Sequence, residues 1–480
     1  MGRGRAPPQS RGGRGARRDH PEPRAHRGAV RHPGRPRHRR ARRGAVVSVR
    51  RLLIVCYFYP PLAGGGVHRI LGFTRHLPAH GWACTVVCAG ARDYWVRDAS
   101  LAARVPAETE VIRVSGGSGL EAWMRLGRGR DEGRRPGGLF AGLRSLSDWW
   151  LLPDSYAGWS RRAATAAARR IRQGGIDAIL TSSPPDSVQL AGLALRRRFA
   201  VPWVADFRDP WVALHFRRPP TAWHRARQAA MERAVLGGAD LVLAASRTHA
   251  DDLIAAAGQA RLEHLPNGFE PEVVDEATED AGVPAEAFVL AFTGTMSLMP
   301  DTDVLLEALH DLLSLRPEAR RRLRAKLVGP FESHHADRAQ ALGLTGIVEF
   351  PGPRTHAATR ALQRRADLLL LWKPRGAGYR TMVPGKLYEY LDAGRPVLAL
   401  LDPGDEAAEL VRRGGGEVLP PGDRVPLAAA IERHYLAWKD GKRSLAERPA
   451  WLAQHARPRL AGQLAGWLDA LAVARPEGAA

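Results

Sequence analysis

The sequence predicts an α/β protein built from two doubly wound parallel sheets that face each other across a central cleft. From Arg51 onward, short apolar runs alternate with amphipathic stretches, which is the pattern of strands and helices in parallel sheets. A chain of 480 residues is also too long for one ordinary hydrophobic core, which favours two domains. Ligands of such sheets bind beyond the carboxyl ends of the strands, so we expect the functional site there.

The first series of apolar runs predicts five strands and extends to about Asn267. "RLLIVCYFYPP" is the first strand, and "GGGVHRILGFTRHLPAHG" is a Gly-rich turn followed by a helix that ends at Gly81. The other four predicted strands are "ACTVVCAG", "IDAILTSSPP", "VPWVADFRDPW" and "ADLVLAAS".

A second series begins near Ala287 and predicts six strands: "FVLAFTG", "RAKLVG", "IVEFPG", "ADLLLLWK", "PVLALLD" and "GEVLP". Helices such as "DTDVLLEALHDLLSL" and "VPLAAAIERHYLAWKDG" lie between them. The final "WLAQHARPRLAGQLAGWLDALAVA" is predicted to be helical and to cross back onto the first domain.

These patterns divide the chain into four regions. We expect a disordered Arg-rich tail over 1–48, an N-terminal domain over 49–275 with an insertion at about 119–160, a C-terminal domain over 285–455, and a helix and tail over 456–480. The segment "LPNGFEPEVVDEATEDAGVPAEA" is predicted to join the two domains, with "LPNGFE" as the linker turn.

Most of the positive charge lies in the tail. Residues 1–50 hold sixteen Arg and two acids, which gives +14 of the total net charge of +23. Such a segment has too few large apolar residues to form a core. One interpretation is a nucleic-acid-binding arm. The other, which we expect, is that the tail is not native and that translation begins at Val47 or Val49, so no nucleic-acid partner is expected.

Cysteine and hydropathy patterns predict a cytoplasmic protein. Cys56, Cys84 and Cys88 fall in apolar strand-like runs, where buried free thiols are the simplest interpretation. No apolar run reaches the ~18 residues that span a bilayer. The basic N-terminus is not followed by the apolar segment of a signal peptide.

The stretch "MVPGKLYEYLDAGRPVLAL" predicts an anion site at a helix start. Pro384 suits a first helical turn, Gly385 permits close approach of a ligand, and the helix N-terminus offers partial positive charge and free N–H groups. Lys386 adds a full charge, and Glu389 lies one turn further, about 4.5 Å along the axis. A surface Lys–Glu pair is the alternative. The position after "ADLLLLW", with Lys373, Arg375 and Arg380 in the loop, favours the functional interpretation.

Five motifs in this order resemble those of family 4 glycosyltransferases of the GT-B fold: "PPLAGGGVHR", "DFRDPW", "LPNGFE", "FTGTM" and "PGKLYEYLDAGRPVLAL". The resemblance covers roughly residues 51–455, and it is closest to a subgroup with the pattern "PxKLxEYLxxGxP". It implies two Rossmann-like domains and transfer of a sugar from a nucleotide diphosphate donor to a hydroxyl acceptor, with retention of configuration. It implies no cofactor and no bound metal, since the nucleotide-sugar is a substrate.

The resemblance also implies where the two substrates bind. Lys386 and Glu389 are the expected catalytic residues. The expected donor-binding residues are Gly294, Thr295, Arg375, Arg380, Gly385, Lys386, Leu387 and Glu389. The expected acceptor and cleft residues are Gly64, Gly65, Gly66, His68, Asp206, Arg208 and Asp209. For the glycines a tight turn is an equal alternative, for His68 a helix-surface position, and for the three charged residues an internal salt bridge.

Two departures from the family pattern affect the donor site. Many members have two glutamates eight residues apart, and Glu389 matches the second while Thr381 stands at the first position. Members also often place an Arg and a Lys shortly after the "FTG" loop, where "TMSLMPDTD" has neither. We expect Lys386 with Arg375 or Arg380 to supply that charge.

The segment "EAWMRLGRGRDEGRRPGGLFAGLRSLSDWWLLPDSYAGW" interrupts the α/β pattern. It combines Trp123, Trp149, Trp150 and Trp159 with many Arg. Basic charge beside exposed aromatic rings is typical of proteins that contact anionic membranes, and a covering insertion with buried tryptophans is the alternative. Membrane contact would place the protein peripherally on the inner face of the plasma membrane, with a lipid-linked acceptor.

The expected function is therefore glycosyl transfer in cell-surface polysaccharide or glycolipid synthesis, with a nucleotide-sugar donor and a glycan or lipid-linked acceptor. Three alternatives remain open at this point. They are a GT-B scaffold that binds a nucleotide or glycan without turnover, a nucleic-acid-binding protein that uses the Arg tail, and a related enzyme such as a sugar-nucleotide epimerase.

Overall fold

The computed structural model describes residues 49–91, 93, 97–116, 149–213, 219–257, 260–271, 286–296, 299–442 and 445–473. The predicted Arg-rich tail, Trp123, most of the predicted insertion and most of the predicted interdomain linker lie outside these residues. We call the described residues up to 271 the first lobe, and those from 286 to 442 the second lobe.

The described residues of the first lobe contain seven parallel strands: β1 Arg50–Cys56, β2 Trp82–Ala89, β3 Glu110–Val114, β4 Ala178–Ser183, β5 Trp203–Phe207, β6 Leu241–Ala244 and β7 Leu262–His264. Their order in the sheet is β3-β2-β1-β4-β5-β6-β7. β1 pairs with β2 on one side and with β4 on the other, so the direction of winding reverses beside β1. This is the position at which doubly wound sheets bind ligands.

Five α-helices cover this sheet in the described residues: α1 Val67–His76, α2 Ala157–Arg172, α3 Ser187–Arg198, α4 Ala222–Gly238 and α5 Arg247–Ala257. The predicted helix end at Gly81 is confirmed. α1 ends at His76, a 3-10 turn continues over Leu77–His80, and Gly81 terminates it with a φ of 79°. Glycine is favoured there because other residues adopt this left-handed conformation at a cost.

The described residues of the second lobe contain six parallel strands: β8 Phe288–Thr293, β9 Leu323–Val328, β10 Val348–Gly352, β11 Leu368–Trp372, β12 Val397–Leu400 and β13 Glu417–Leu419. Their order is β10-β9-β8-β11-β12-β13. The helices of this lobe are α6 Asp301–Leu315, α7 Ser333–Ala341, α8 His356–Arg365, α9 Lys386–Ala393, α10 Glu406–Arg413 and α11 Arg424–Lys439. All six strands predicted from the second series of apolar runs are confirmed.

Complete burial explains why the central strands could be recognised in the sequence as continuous apolar runs. Every residue of β4, β8 and β11 is buried, because helices cover both faces of the sheet. The edge strands β3 and β7 were not predicted; β3 is half-buried and carries Glu110 and Arg113, and β7 has only three residues. The three cysteines are buried free thiols, as expected, and burial raises the pKa of each.

The C-terminal helix α12, Arg457–Val473, packs on the first lobe as expected. Its buried leucines, such as Leu460 and Leu464, belong to the same apolar cluster as Leu52 of β1. The segment "LPNGFE" contacts the residues that lead into α12, since Phe269 forms a parallel bridge with Ala456. It is therefore a docking position for the C-terminal segment as well as the exit from the first lobe. Among the described residues, no helix is both long enough and apolar enough to cross a bilayer.

Candidate functional site

Three polar side chains from the two lobes meet where the strands end. His68 lies in the first turn of α1, His356 begins α8, and Glu389 lies in the first turn of α9. The rings of His68 and His356 are 4.5 Å apart between centroids, and Nε2 of His356 is 3.1 Å from Oε1 of Glu389. The two lobes thus contribute to one polar cluster.

First-lobe side chains fix the orientation of His356. The guanidinium of Arg104 lies 3.2 Å from Nδ1 of His356, and the backbone N–H of His356 donates to Asp98 at 3.1 Å. Because a guanidinium can only donate, Nδ1 accepts and the ring proton resides on Nε2. That proton is donated to Glu389, so the imidazole links the first lobe to the carboxylate.

Glu389 is held as a carboxylate. Burial alone would raise its pKa, but the hydrogen bond from His356, with the positive charge of Arg360 nearby, holds the pKa well below the usual range. Gln363 also donates to its second oxygen at 3.3 Å, and Arg360 donates to its backbone carbonyl at 2.8 Å. An ionised carboxylate with its partners fixed in this way can accept a hydrogen bond from a hydroxyl group.

Lys386 presents a positive charge without an acidic partner. Its Nζ lies 3.4 Å from the centroid of the Phe292 ring, at the carboxyl end of β8. In the part of the chain that the structure describes, no carboxylate contacts this ammonium, and burial lowers its pKa well below the usual value. A cation that has lost solvation without gaining a partner favours an anionic ligand.

Two glycines bring the loop after β8 close to this ammonium. A methyl group on Gly294 would lie 3.1 Å from Nζ of Lys386, and a methyl group on Gly329 would lie 2.0 Å from the carbonyl oxygen of Gly294. Gly294 has a φ of 137° and Gly329 has a φ of 135°, which other residues rarely adopt. The loops after β8 and β9 therefore pack backbone to backbone beside Lys386.

The structure gives carboxylate partners to the two arginines that were expected to supply charge. Arg375 forms a two-pronged ion pair with Asp301, which is fully buried and also accepts from the backbone of Gly422. Arg380 pairs with Asp252 of the first lobe at 2.5 Å. Both guanidinium groups are engaged within the protein, which leaves Lys386 as the cation of the predicted set that has no acidic partner among the described residues.

Thr381 lies in the contact between the lobes. It is buried, and its carbonyl accepts a hydrogen bond from Ser246 of the first lobe at 2.6 Å. Thr381 stands where the resemblance to the family implies a glutamate, and here this residue packs between the two lobes. The nearby Lys373 is also buried, with an ion pair to Asp405 at 3.0 Å.

The other expected donor-binding residues are of three kinds. Thr295 is exposed beside the loop after β8, and Gly385 is exposed at the N-cap of α9. The side chain of Leu387 is fully buried in the apolar core of the second lobe, and its N–H donates to Pro384. Leu387 therefore anchors α9 in the core, and neither its side chain nor its N–H is available to a ligand.

The glycine turn of the first lobe lies against Arg208. A methyl group on Gly66 would lie 1.7 Å from a guanidinium nitrogen of Arg208, so a larger residue there would have to displace this side chain. Arg208 itself donates to the carbonyls of Ser183 at 2.8 Å and Pro184 at 2.9 Å. Gly64 and Gly65 are exposed with open space around them, so the turn is accessible to a ligand.

Asp206 has a structural partner that the sequence did not reveal. It is fully buried and forms two hydrogen bonds with Arg69 of α1, at 3.0 and 2.7 Å, and a third with Ser182 at 2.7 Å. The internal salt bridge expected as an alternative to acceptor binding is present, but its cation is Arg69. Asp209 is half-buried beside this cluster.

Sequence reasoning missed His356, Arg104 and Arg457. Arg457 of α12 donates to the carbonyl of His68 at 2.6 Å, and burial lowers its pKa to about 10. A signal for His356 was available: "PRTH" follows the predicted strand "IVEFPG", and Thr355 caps the helix that His356 begins. Arg104 and Arg457 come from distant parts of the chain and carry no local signal.

Two family models match the two halves of the chain. The model described as "Glycosyltransferase Family 4" matches residues 63–273, and the model described as "Glycosyl transferases group 1" matches residues 287–436. The two matched ranges contain strands β2 to β7 of the first sheet, all six strands of the second sheet, and His68, His356 and Glu389.

Curated relatives are similar over part of the chain. A D-inositol 3-phosphate glycosyltransferase 1 of Catenulispora acidiphila is 32% identical over 158 residues, which are 30% of this chain and 38% of that protein. A D-inositol 3-phosphate glycosyltransferase of Actinosynnema mirum is 28% identical over 58% of this chain and 69% of its own length. The match to the first of these relatives thus spans little more than a third of its length.

Solved structures share the architecture at low sequence identity. A sucrose-phosphate synthase from Thermosynechococcus elongatus has a TM-score of 0.56 and 18% identity over 88% of this chain and 96% of its own. Anabaena Alr3699/HepE in complex with UDP-glucose has a TM-score of 0.56 and 17% identity, over 88% of this chain and 99% of its own. These neighbours confirm the predicted fold of two Rossmann-like domains, which is GT-B.

Proposed function

We propose that this chain is a family 4 glycosyltransferase that transfers a sugar from a nucleotide diphosphate-sugar to a hydroxyl acceptor with retention of configuration. The observation that carries the proposal is the pair formed by Lys386 and Glu389 at the start of α9. The first is a desolvated cation without an acidic partner in the described residues, and the second is a fixed carboxylate. A diphosphate and a neighbouring hydroxyl are the complementary ligand groups.

The chemistry follows from where charge develops. When the sugar–phosphate bond breaks, negative charge grows on the leaving diphosphate and positive character grows on the sugar ring. Lys386 and the free N–H groups of α9 stabilise the leaving group, and removal of one such donor typically costs about 3 kcal/mol of transition-state stabilisation. Glu389 accepts a hydrogen bond from a hydroxyl group of the donor sugar and so sets the position of that sugar.

Retention needs no protein nucleophile in this scheme. The acceptor hydroxyl attacks the anomeric carbon from the face that the diphosphate leaves, and the departing phosphate oxygen takes the hydroxyl proton. Lys386 supplies the fixed positive charge of the reaction, and we propose that the transfer itself requires no metal ion. The exposed turn at Gly64 and Gly65, on the opposite lobe, is the proposed acceptor side of the cleft.

The acceptor is proposed to be a glycan or a lipid-linked sugar in cell-surface polysaccharide or glycolipid synthesis. The support is a surface that carries Trp150, 85% exposed, and Trp149, 50% exposed. Trp159 is buried and its indole N–H donates to the carbonyl of Val114, so this third tryptophan belongs to the core. We propose a cytoplasmic protein that contacts the inner face of the plasma membrane peripherally.

A scaffold without turnover is the second candidate. Thr381 is buried in the interlobe contact, and Arg375 and Arg380 are engaged by Asp301 and Asp252. A site with fewer charges can bind a nucleotide and still fail to stabilise the leaving group.

One experiment separates the two candidates. A thermal-shift screen against UDP-, GDP- and ADP-sugars, including UDP-glucose, first identifies the donor that binds. Hydrolysis and transfer of that donor are then measured for the wild type, for Glu389→Ala and for Glu409→Ala, an exposed control in α10. Transfer that Glu389→Ala alone abolishes, with the product anomer retained by NMR, supports the enzyme. Tight binding with equally negligible rates in all three proteins supports the scaffold.

A further inference from the structure

A second group of potential ligands lies apart from Lys386 and Glu389, between the first turns of α6 and α7. Asp303 belongs to the first turn of α6, and His334 and His335 belong to the first turn of α7. One ligand atom from each of the three side chains lies within 4.8 Å of the other two. The proposed transfer reaction uses none of these side chains.

The separations suit ligands of one tetrahedral ion. Oδ1 of Asp303 is 3.1 Å from Nδ1 of His335, and Oδ2 of Asp303 is 3.8 Å from Nε2 of His334. Two ligands that each lie about 2.0–2.1 Å from a tetrahedral zinc ion are separated by roughly 3.3 Å. Small rotations of these side chains therefore bring the three atoms onto one ion.

A further carboxylate lies beside the exposed histidine. Nδ1 of His334 faces Oε2 of Glu332 at 3.4 Å, so its other nitrogen, Nε2, is directed to Asp303. A metal-binding histidine typically donates its second ring N–H to a carboxylate in this manner, which fixes the tautomer and raises the basicity of the ligand nitrogen. Glu332 thus has the position of an orienting group for a metal ligand.

The second histidine is held in the protein interior. His335 is 2% exposed, and its Nε2 is buried without a hydrogen-bond partner among the described residues. Buried polar atoms without partners are rare in native proteins and require a specific explanation. Contact with Asp303 satisfies only one of the two ring nitrogens. Nδ1, which faces Asp303, is the atom that would bind the ion, so the ion fixes this ring without giving Nε2 a partner.

We propose that Asp303, His334 and His335 bind one zinc ion, with Glu332 as the residue that orients His334. Two imidazoles and one carboxylate are suitable ligands for zinc, whereas Mg²⁺ and Ca²⁺ prefer oxygen ligands. The ion ties α6 to α7 beside the loops that follow β8 and β9, which are already joined by the hydrogen bond from Met296 to Pro330. It thus braces the side of the second lobe that carries Gly294, and it takes no part in sugar transfer.

The test measures zinc stoichiometry on the full-length, untagged chain after removal of metal by EDTA. Titration against a chromophoric zinc chelator is expected to show one more high-affinity Zn²⁺ per chain in the wild type than in His334→Ala or Asp303→Asn. In both variants we expect the zinc affinity of this site to fall by at least roughly tenfold. Glu332→Gln is expected to weaken zinc binding about 10–100-fold. Millimolar Mg²⁺ is expected not to displace the ion.

The matched control is His434→Ala, because His434 also pairs with a carboxylate, Glu417 at 4.0 Å, but has no third ligand among the described residues. Its stoichiometry is expected to equal that of the wild type. His334 is largely exposed, so its removal should leave folding intact, and circular dichroism verifies this. Equal zinc counts in the wild type, His334→Ala and Asp303→Asn would overturn the proposal, as would displacement of the ion by Mg²⁺.

Discussion

Nε2 of His356 lies 3.1 Å from Oε1 of Glu389 and connects the helix that begins at the end of β10 to the helix that bears Lys386. His356 is in turn contacted by Asp98 and Arg104 of the first lobe. The protonation of one carboxylate is thus coupled to the contact between the two lobes.

Replacement of Glu389 by Gln should destabilise the protein in a pH-dependent manner. The folded state lowers the pKa of Glu389, so its ionised form contributes stability above the unfolded value of 4.5, and this contribution is lost as the pH falls towards the folded pKa. At pH 7 we expect a cost of about 1.5–3 kcal/mol, the usual value of a hydrogen bond to a charged group. Below pH 4.5 the difference from wild type should shrink by about 1.4 kcal/mol per pH unit.

Thermal unfolding of both proteins between pH 3 and 8 checks this prediction. Glu409→Gln is the control, because this exposed glutamate lies in α10 away from His356. A difference between wild type and Glu389→Gln that stays constant across this range would show that the carboxylate is not stabilised by its neighbours.

At a pH near or above the lowered free-state pKa of Lys386, binding of the donor diphosphate should be accompanied by proton uptake at this residue. Burial lowers the pKa of this ammonium in the free protein, and a bound dianion beside it raises the pKa again. Affinity should therefore fall as the pH rises through the free-state pKa, because the neutral amine must gain a proton on binding. Calorimetric titration in two buffers of different ionisation enthalpy measures this uptake directly.

Lys386→Met removes the titrating group and should abolish the proton uptake while weakening donor binding. Lys439→Met, an exposed lysine at the end of α11, should leave both unchanged. Equal proton uptake by the wild type and Lys386→Met would assign the titration to another group.

Gly329→Ala should damage the donor loop more than an equivalent change elsewhere. Its new methyl group would lie 2.0 Å from the carbonyl oxygen of Gly294, and backbone atoms cannot move aside cheaply. Gly343→Ala is the matched control, since Gly343 also has a positive φ, of 66°, but has open space around it. The left-handed conformation at Gly343 costs an alanine about 1–2 kcal/mol, whereas the φ of 135° at Gly329 lies outside that region and adds strain to the clash.

We expect Gly329→Ala to lower both the unfolding temperature and the donor affinity beyond the values of Gly343→Ala. Thermal-shift titration with the donor measures both quantities in one experiment. Similar donor affinities for the two variants would mean that the loop after β8 does not contact the donor.

Removal of Trp149 and Trp150 should reduce binding to anionic membranes. Trp150 is 85% exposed, and the ring of Trp149 packs on His224, which also contacts the 63% exposed Trp223. Exposed indoles favour the membrane interface, and cationic residues add attraction to acidic lipids. Co-sedimentation of the intact protein with phosphatidylserine vesicles is expected to fall in Trp149→Ala/Trp150→Ala.

A Trp451→Ala variant is the control, because this indole is only partly exposed and packs on Arg413 of the second lobe. The same sedimented fraction for wild type and the Trp149/Trp150 double variant would contradict the proposed membrane contact. No binding by the wild type would contradict it as well.

The sequence predicted the fold well where burial is complete on both faces. β8 and β11 are continuous apolar runs bounded by polar turns, so their position and type were legible. β3 and β7 lie at the two edges of the first sheet, where half-burial admits charged residues and short length removes periodicity. In the first sheet, local pattern therefore identified the central strands and missed both edge strands, whereas the edge strands β10 and β13 of the second sheet were predicted.

The site was predictable to the extent that it lies in one contiguous helix. Lys386 and Glu389 are one turn apart, and their relationship follows from helix geometry. The partners of Arg375 and Arg380 lie 74 and 128 residues away in the chain, so no local pattern could show that both charges are already paired. The link from His356 to Glu389 depends in the same way on packing between distant helices.

The central claim is that a diphosphate binds at the start of α9 beside Lys386, and a crystal structure of the protein with the donor sugar nucleotide tests it most directly. The account predicts diphosphate oxygens within hydrogen-bond distance of Nζ of Lys386 and of the backbone of Gly294, with a donor hydroxyl on Glu389. A diphosphate bound elsewhere, with Lys386 still packed on Phe292 and free of ligand contacts, would contradict it.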